Sequence, residues 1–489
     1  SNSPILQFSN PPILQSSNPP ILQSSNPPIL KSSNPPIHPV CYSPRVHAAD
    51  IGRVPPAERT QSGFDLFLIF AGANIVATTM QVGASLAFEF PLRTVLALIG
   101  IGSIAGSALV AVLAPLGPRL GVPSVIAARA ALGMRGAGLV ALVLYLTNFA
   151  WIAVNNVIAA SACARFAGGD RRVWAVALGV LATVVVARGP RAVGLAARVA
   201  VPLLAVTGAF MTLACLRALA AEPAAPPVAT MTWSRGLDVA IGYQVSWILM
   251  FADYSRYTRS EGRSLVAVFL GLALTSLWFM PLGAVAARAA GSVDPGAMID
   301  RVGLGGWGAL LLAVATLTTN FVNIYLSSLA WKSLFPKSGE QISVWSIGLI
   351  GSALSLLSTA WIGRYADFML VLGTILVPVG GVILAHYFVL PWLGGRRGPG
   401  RRAVSDGDVA LLYDARGPYA RHAGFSIPGA LAWTAGAVVY YVSTTIGGTL
   451  PSLATTVVAY CVVERVTKAG TRVCRRPSTS RPGSTARRR

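Results

Sequence analysis

Runs of about 20 apolar residues recur along the chain from Phe64 to residue 463, and they limit the possible folds more than any other feature. Each run is long enough to cross the roughly 30 Å hydrocarbon core of a bilayer as a helix. The 489 residues are 54% hydrophobic and only 11% charged, which leaves too little polar surface for a soluble globule. The alternating pattern of barrel strands does not occur. The sequence therefore predicts an all-α integral membrane protein.

We predict about 12 transmembrane helices, numbered span 1 to span 12 in chain order. They cover residues 64–88, 94–114, 138–163, 173–187, 198–218, 237–252, 264–288, 306–330, 343–361, 366–390, 429–445 and 447–463. If both termini are cytoplasmic, the inner loops and adjoining span ends carry 17 Lys and Arg, and the outer ones carry 9. Because positive charge is enriched on the cytoplasmic side, we expect a multi-pass cell-membrane protein with both termini in the cytoplasm.

Two tails flank the membrane domain of residues 60–463. Residues 1–59 are rich in Pro, Ser and Asn and begin with five copies of an eight-residue unit, so we expect a disordered tail. This tail has no basic segment followed by an apolar one, and we do not expect a signal peptide. Residues 464–489 are predicted to form a basic disordered tail near anionic lipid.

The net charge of +22 could indicate a nucleic-acid partner, but basic inner loops and the basic tail explain it better. The five cysteines show no metal-binding spacing, and the chain has only four histidines. No HExxH, P-loop or GxSxG motif occurs. We therefore expect no nucleic-acid binding, no enzymatic activity and no metal centre.

Span 6 and the residues after it, GYQVSWILMFADYSRY (Gly242 to Tyr257), are unusually polar for a membrane segment. Polar side chains at membrane depth are tolerated where they face protein or a water-filled cavity. Gln244, Ser246 and Trp247 are therefore candidate residues of a solute pathway.

Span 1 contains the step Gly72-Ala73-Asn74, which is a candidate helix break. Carbonyl groups freed at such a break could face a cation, although small residues here could equally serve close helix packing. Spans 1 and 6 each begin a five-span unit and are both interrupted by polar residues, which indicates inverted repeats with a site between them.

Span 3 places Asn148, Trp151 and Asn155 on one helix face. An indole beside carboxamides makes a surface on which a flat heterocycle can stack and form hydrogen bonds. The alternative is an amide hydrogen bond between helices together with an interfacial tryptophan.

Span 8 carries Asn320 and Asn323 on one face, with Thr318 and Thr319 beside them. Hydroxyl and carbonyl oxygens suit a monovalent cation, but threonines in membrane helices often bond back to their own backbone. His386 is the only histidine within a span, and it could either relay protons or meet the membrane interface.

Several motifs together resemble the nucleobase:cation symporter family, the purine/cytosine permeases. Besides Trp151 and Asn155, they are GVPSVIAARAALGMRG (121–136), SWILMFADYSRY (246–257), TTNFVNIYLSSLA (318–330), PVGGVILAHYF (378–388) and LYDARGPY (412–419). Two positions depart from the family pattern: His386 stands where many members have Asp, and Ala252 stands where Pro is common.

The resemblance implies a LeuT-type fold, with five-plus-five inverted repeats and two extra helices. It implies that Trp151 stacks on the base and that Asn155 bonds its edge. The opposite wall would come from Gln244, Ser246 and Trp247, with Asn320 or Asn323 approaching from span 8. A sodium ion would sit between Ala73 and Val76 of span 1 and Thr318 and Thr319 of span 8.

We therefore expect a secondary active transporter, with residues 60–463 as its transporter domain. It would import a nucleobase or related heterocycle, such as cytosine, a purine or a hydroxymethylpyrimidine-like compound, by symport with H⁺ or Na⁺. The expected partners are this small molecule and the lipid bilayer, with no cofactor other than the coupling ion. An amino-acid or other small-solute:cation symporter on the same fold is the alternative.

Overall fold

The computed structural model describes residues 51–188, 202, 205–206, 208–217, 230–357, 363–394, 405–420, 422–443 and 445–473. Most of these residues are helical, and within these ranges the only β-type pairing is an isolated bridge between Gln61 and Thr258. The all-α prediction is confirmed. The remainder of both predicted tails lies outside the described residues.

The helices of the described part are α1 (Gly63–Asn74), α2 (Ala77–Leu86), α3 (Leu92–Ala111), α4 (Leu116–Leu120), α5 (Ser124–Leu132), α6 (Met134–Ala167), α7 (Arg171–Ala187), α8 (Gly208–Arg217), α9 (Trp233–Val245), α10 (Glu261–Ala290), α11 (Pro295–Arg301), α12 (Gly305–Leu334), α13 (Glu340–Leu354), α14 (Tyr365–Leu384), α15 (Leu390–Leu393), α16 (Asp406–Ala410), α17 (Ile427–Val442) and α18 (Thr449–Val473).

Six stretches in the described residues are long and apolar enough to cross a membrane, and the bent pair α1–α2 makes a seventh. Their outer faces expose large apolar side chains, such as Ile104 (49% exposed) and Leu146 (54%). An apolar surface of this kind suits lipid rather than water. The protein is therefore a multi-pass membrane protein, and the total of twelve spans stays a prediction.

Span 1 is broken, with a bend of 55° between α1 and α2. The break lies at Ile75 and Val76, just after the predicted step Gly72-Ala73-Asn74, which is still helical. The Asn74 amide fixes this position, because its Nδ2 donates to Thr275 Oγ1 (2.7 Å) and Ser276 Oγ (2.8 Å) of α10. The last residue of α1 is thus Asn74, a polar residue whose side chain is hydrogen-bonded to α10, and not a glycine.

Span 6 is also interrupted, because α9 ends at Val245 and continues as a 3₁₀ turn over Ser246–Met250. Here Gln244 Nε2 donates to Ser276 Oγ at 2.6 Å. Both interrupted spans are therefore anchored on the same serine of α10.

The helices around these breaks pack in two groups. One group contains α1, α2, α3, α9 and α10, and the other contains α6, α7, α12 and α13. Buried amides join α6 to α12, where Asn155 Nδ2 donates to Asn320 Oδ1 (3.2 Å) and Asn320 Nδ2 donates to Asn156 Oδ1 (2.8 Å). The two broken spans therefore belong to the first group, and the hydrogen-bonded pair α6 and α12 belongs to the second.

The edges of the membrane domain differ from the predicted ones. Residues 51–59, assigned to the N-terminal tail, pack on the helices: Val54 N donates to Gly121 O at 2.8 Å, and Arg59 is 7% exposed. At the other end, α18 continues to Val473, past the predicted start of the tail at 464. Backbone and side-chain hydrogen bonds to distant residues, which composition does not reveal, order the first segment.

Candidate functional site

A cavity of about 30 Å³ lies where the breaks of spans 1 and 6 face α6 and α12. Four of the predicted substrate-binding residues line it: Trp151, Ser246, Trp247 and Asn323. Both indoles are nearly buried, with Trp151 9% exposed and Trp247 8% exposed. The structure thus brings residues from spans 3, 6 and 8 to one cavity.

Aromatic rings surround Trp151 and hold it in place. Tyr243 and Phe368 approach it in edge-to-face geometry, with ring centroids 5.9 Å and 5.2 Å away. On the span 6 side, Trp247 packs on Phe70 at 5.6 Å. Aromatic contacts of this kind restrain the orientation of an indole ring. Two oriented indoles, Trp151 and Trp247, therefore border the cavity.

Asn323 is the only carboxamide among the described residues that line this cavity. It is 6% exposed, and its Nδ2 has no hydrogen-bond partner in the described part of the chain. A buried amide without a partner is costly. Asn323 is therefore a carboxamide with unused hydrogen-bonding capacity beside the cavity.

Asn155, Asn320 and Gln244 do not line the cavity. Asn155 and Asn320 are bonded to each other between α6 and α12. This contact corresponds to the alternative given above for span 3, an amide hydrogen bond between helices. Gln244 donates to Ser276, and its Cβ lies against α3 near Gly106. Helix spacing predicted which residues share a face, but the partner helices decided which face meets the cavity.

Ala73, Val76 and Thr319 of the predicted cation site line the same cavity, whereas Thr318 does not. Thr318 Oγ1 and Thr319 Oγ1 each donate to Ala315 O at 2.9 Å, within their own helix. A hydroxyl that donates its hydrogen keeps lone pairs for a cation. The donor set is uncharged and suits a monovalent cation.

Sequence reasoning missed several residues around the site. Tyr243 and Thr78 line the cavity, and Tyr365 OH donates to Thr78 O at 2.8 Å. Tyr243 stands inside the polar stretch of span 6 and could have been selected on that ground. Tyr365 and Phe368 begin an ordinary apolar span, so nothing in the sequence distinguishes them.

His386 lies in a short π-helical turn, Ala385–Val389, beyond α14. Its Nδ1 is 2.8 Å from Tyr460 OH of α18, and its ring meets Tyr387 edge-on at 4.8 Å. His386 does not line the cavity. The structure places this histidine at a contact between α14 and α18 and away from the two breaks.

The fold is similar to those of solved transporters. Mhp1, a nucleobase-cation-symport-1 family transporter in a closed conformation with bromovinylhydantoin bound, superimposes with a TM-score of 0.73 at 19% identity, covering 86% of this chain and 95% of that chain. A Na⁺-coupled sialic acid symporter gives a TM-score of 0.58 at 11% identity, covering 84% and 91%. At these identities, the likeness concerns the fold.

Curated relatives are permeases. The cytosine permease of Escherichia coli strain K12 is 26% identical over 346 residues, which are 69% of this chain and 80% of the relative. The putative purine-cytosine permease YxlA of Bacillus subtilis strain 168 is 22% identical over 405 residues, or 77% of this chain and 84% of the relative.

A sequence profile described as permease for cytosine/purines, uracil, thiamine, allantoin matches residues 53–462. This match covers α1 to α17, the first part of α18, both breaks and the cavity. The chain is therefore a membrane transporter and not an enzyme, and it belongs to the family of permeases for cytosine and purines, uracil, thiamine and allantoin.

Proposed function

We propose that this protein imports a nucleobase or a closely related heterocycle by symport with a monovalent cation. The observation that carries the proposal is the cavity between the two helix breaks, which joins two buried indoles to an unpaired carboxamide, Asn323. The family membership and the names of the curated relatives support the same class of substrate.

The chemistry of the cavity suits an uncharged aromatic ring. The described lining residues include no Asp, Glu, Lys, Arg or His, so no side chain there can form an ion pair with a charged group of the substrate. A planar base can stack on Trp151 or Trp247 and accept a hydrogen bond from Asn323 Nδ2 at a carbonyl or ring nitrogen. Cytosine, purines and hydroxymethylpyrimidine-like compounds all offer such acceptors, so each of them fits these groups.

Transport requires the cavity to change size. A water occupies about 10–15 Å³ of such space, so the cavity of about 30 Å³ holds about two water molecules. A base therefore enters only when one helix group moves relative to the other. We infer alternating access by rocking of the group containing α1 and α9 against the group containing α6 and α12, within a fold of twelve spans and five-plus-five inverted repeats.

Sodium is the coupling ion that the cavity favours, with protons as the alternative. Ala73, Val76 and Thr319 line the cavity and would supply uncharged oxygens as ligands, with Thr318 on the same turn of α12. His386, the candidate proton carrier, lies elsewhere. Each positive charge moved inward gains about 2.3 kcal/mol per 100 mV, which exceeds the roughly 1.4 kcal/mol needed for a tenfold gradient.

We further propose the cell membrane as the location, with both termini in the cytoplasm. The excess of Lys and Arg in the loops assigned to the inside supports this orientation.

The proposal is tested by uptake into proteoliposomes, with a panel of radiolabelled bases and with and without a sodium gradient. In the same assay, Trp151→Ala should weaken uptake strongly, because a base–aromatic stack contributes about 1–3 kcal/mol, or roughly ten- to a hundredfold in affinity. Trp307→Ala is the matched control, since Trp307 is 75% exposed. An unchanged half-saturation concentration in Trp151→Ala would remove the stacking role.

An amino acid or another small solute is the second candidate, because a transporter of similar fold, the Na⁺-coupled sialic acid symporter, carries a solute that is not a nucleobase. Adding zwitterionic amino acids to the uptake panel separates the two. Saturable uptake of an amino acid, with none of any base, would replace the proposed substrate class.

A further inference from the structure

A second, larger cavity of about 390 Å³ lies where α1 and α10 begin. Residues 59–63 line one side, and Thr258, Arg259, Ser260 and Arg263 line the other. It shares no residue with the cavity at the helix breaks. We call it the arginine pocket.

Arg59, Arg259 and Arg263 are among the residues that line the arginine pocket, and no Asp or Glu is. None of the three arginines forms an ion pair with a carboxylate within the described ranges. Arg259 Nε donates to Arg59 O at 2.8 Å, which keeps two of the arginines together. The pocket is therefore a concentration of positive charge without a counter-ion from these residues.

Arg59 is the most informative of the three, because it is only 7% exposed. Its guanidinium donates to the carbonyl oxygens of Val54 and Pro118, which are neutral. A buried charge without an opposite charge is costly. Burial first, and repulsion by Arg53 second, lower the pKa of Arg59. A bound anion would offset both effects.

The two acidic residues in the first turns of α1 and α10 are already engaged. Asp65 accepts hydrogen bonds from Ser62 N (2.9 Å) and Ser62 Oγ (2.7 Å) in a capping box. Glu261 is paired with Arg119 at 2.6 Å. Neither carboxylate lines the pocket. Arg119 neutralises Glu261, whereas Asp65 is held by the neutral Ser62 and keeps its negative charge beside the pocket. The three arginines outnumber this single carboxylate, so the net charge around the pocket is positive.

The starts of α1 and α10 add to this potential, because helix N-termini attract anions. They are in contact: a Cβ placed on Gly63 would lie 3.1 Å from Arg263 Cβ. The segments before them are joined as well, since Gln61 N donates to Tyr257 O at 3.0 Å. Positive-inside loops explain exposed arginines at a membrane face, but they do not explain a buried arginine such as Arg59.

We propose that the arginine pocket binds a phosphate-bearing anion, either the headgroup of an anionic phospholipid or a soluble phosphate compound. Phosphate oxygens accept paired hydrogen bonds from guanidinium groups. A bound phosphate would bridge the segment before α1 to the segment before α10, next to both interrupted spans. This site is separate from the substrate cavity and does not depend on the substrate proposed above.

The test uses the full chain in nanodiscs of phosphatidylcholine, with inorganic phosphate as the first probe. Phosphate should raise the unfolding temperature of the wild type above that in chloride at equal ionic strength. The double variant Arg259→Gln/Arg263→Gln, in which both arginines are exposed, should bind phosphate at least about tenfold more weakly. Arg465→Gln removes an exposed arginine outside the pocket and is the control.

The second arm uses phosphatidylglycerol in the nanodiscs and counts the lipids that stay bound during delipidation by native mass spectrometry. Phosphate binding lost in the double variant identifies a soluble anion. A retained phosphatidylglycerol lost in the double variant, without phosphate binding, identifies a lipid headgroup. If the double variant matches the wild type and Arg465→Gln in both arms, the arginine pocket is not an anion site.

Discussion

Asn320 and Asn323 lie one turn apart on α12, and their surroundings assign them different roles. Asn320 exchanges hydrogen bonds with Asn155 and Asn156, whereas Asn323 lines the cavity with its Nδ2 unpaired among the described residues. A carboxamide held by two others stabilises the helix pair, and an unpaired one is available to a ligand.

Replacing each residue by Leu should separate these roles. Asn323→Leu should weaken base binding by about 1–3 kcal/mol, because a polar group of the base is then left unpaired in a dry site. Asn320→Leu should instead destabilise the protein, by roughly the same amount, because the amides of Asn155 and Asn156 lose their partner. Half-saturation of uptake and the unfolding temperature in detergent measure the two effects. The opposite result, with Asn323→Leu unfolding and Asn320→Leu losing affinity, would exchange the roles.

Thr319 is the cavity-lining hydroxyl of the predicted cation site. Thr319→Val keeps the shape of the side chain but removes an oxygen, so uptake should require a several-fold higher sodium concentration. Thr319→Ser keeps the oxygen and should restore sodium dependence. Thr318→Val is a further comparison, since Thr318 does not line the cavity.

Initial uptake rates measured against sodium concentration provide the test for Thr319. Equal sodium dependence in the wild type and in Thr319→Val would exclude this hydroxyl as a ligand. A response of uptake to the pH gradient alone would favour protons as the coupling ion.

At the scale of helices, the crossing of α2 and α10 leaves no room for a side chain. A Cβ on Gly83 would lie 1.8 Å from Met280 O, and a Cβ on Gly283 would lie 1.9 Å from Met80 O. Small residues allow membrane helices to approach this closely. The crossing fixes α2, the second half of the broken span, against the helix that anchors both breaks.

Gly83→Ala should therefore lower the unfolding temperature and the yield of folded protein, because a backbone carbonyl must move. Gly100→Ala on α3 is the matched control, since nothing lies within 4 Å of the added Cβ. Alanine favours a helix over glycine by up to about 1 kcal/mol, so the control should be neutral or stabilising. Equal unfolding temperatures for Gly83→Ala and Gly100→Ala would show that α2 and α10 can move apart without a loss of stability.

At the scale of the whole molecule, a buried carboxylate joins the start of the last helix, α18, to the interrupted span 6. Asp238 of α9 is 5% exposed and accepts hydrogen bonds from Thr449 N (3.1 Å), Thr449 Oγ1 (2.7 Å) and Gly448 N (2.5 Å). It thereby caps the start of α18 from a helix more than 200 residues earlier in the chain.

Asp238→Asn should destabilise the protein by about 1.5–3 kcal/mol and loosen α18, because the amide nitrogen of Asn replaces one of the two accepting oxygens and leaves a backbone N–H of Gly448 or Thr449 unpaired. Asp170→Asn is the control, because Asp170 is an exposed cap that bonds within its own segment, to Arg172 N. Hydrogen exchange of the 445–473 segment measures the difference. Unchanged exchange there in Asp238→Asn would show that the contact does not hold α18.

Residue patterns alone predicted much of the site and missed part of it. Trp151, Trp247 and Asn323 could be selected because polar and indole side chains are rare and costly inside a membrane span. The same ground selects Asn155 and Gln244, yet they pair with Asn320 and Ser276. An unusual residue shows that a polar contact exists, but it does not show with which partner.

By itself, the sequence determined that this is an all-α membrane protein, that spans 1 and 6 are interrupted, and which family the motifs resemble. These properties follow from the length, polarity and spacing of residues along the chain, because a bilayer imposes the same requirement on every spanning helix. Only the tertiary structure decided that the first break lies at Ile75 and Val76, that Tyr365 and Phe368 enclose Trp151, and that three arginines converge in one pocket. Those features depend on contacts between residues far apart in the chain, which local pattern does not encode.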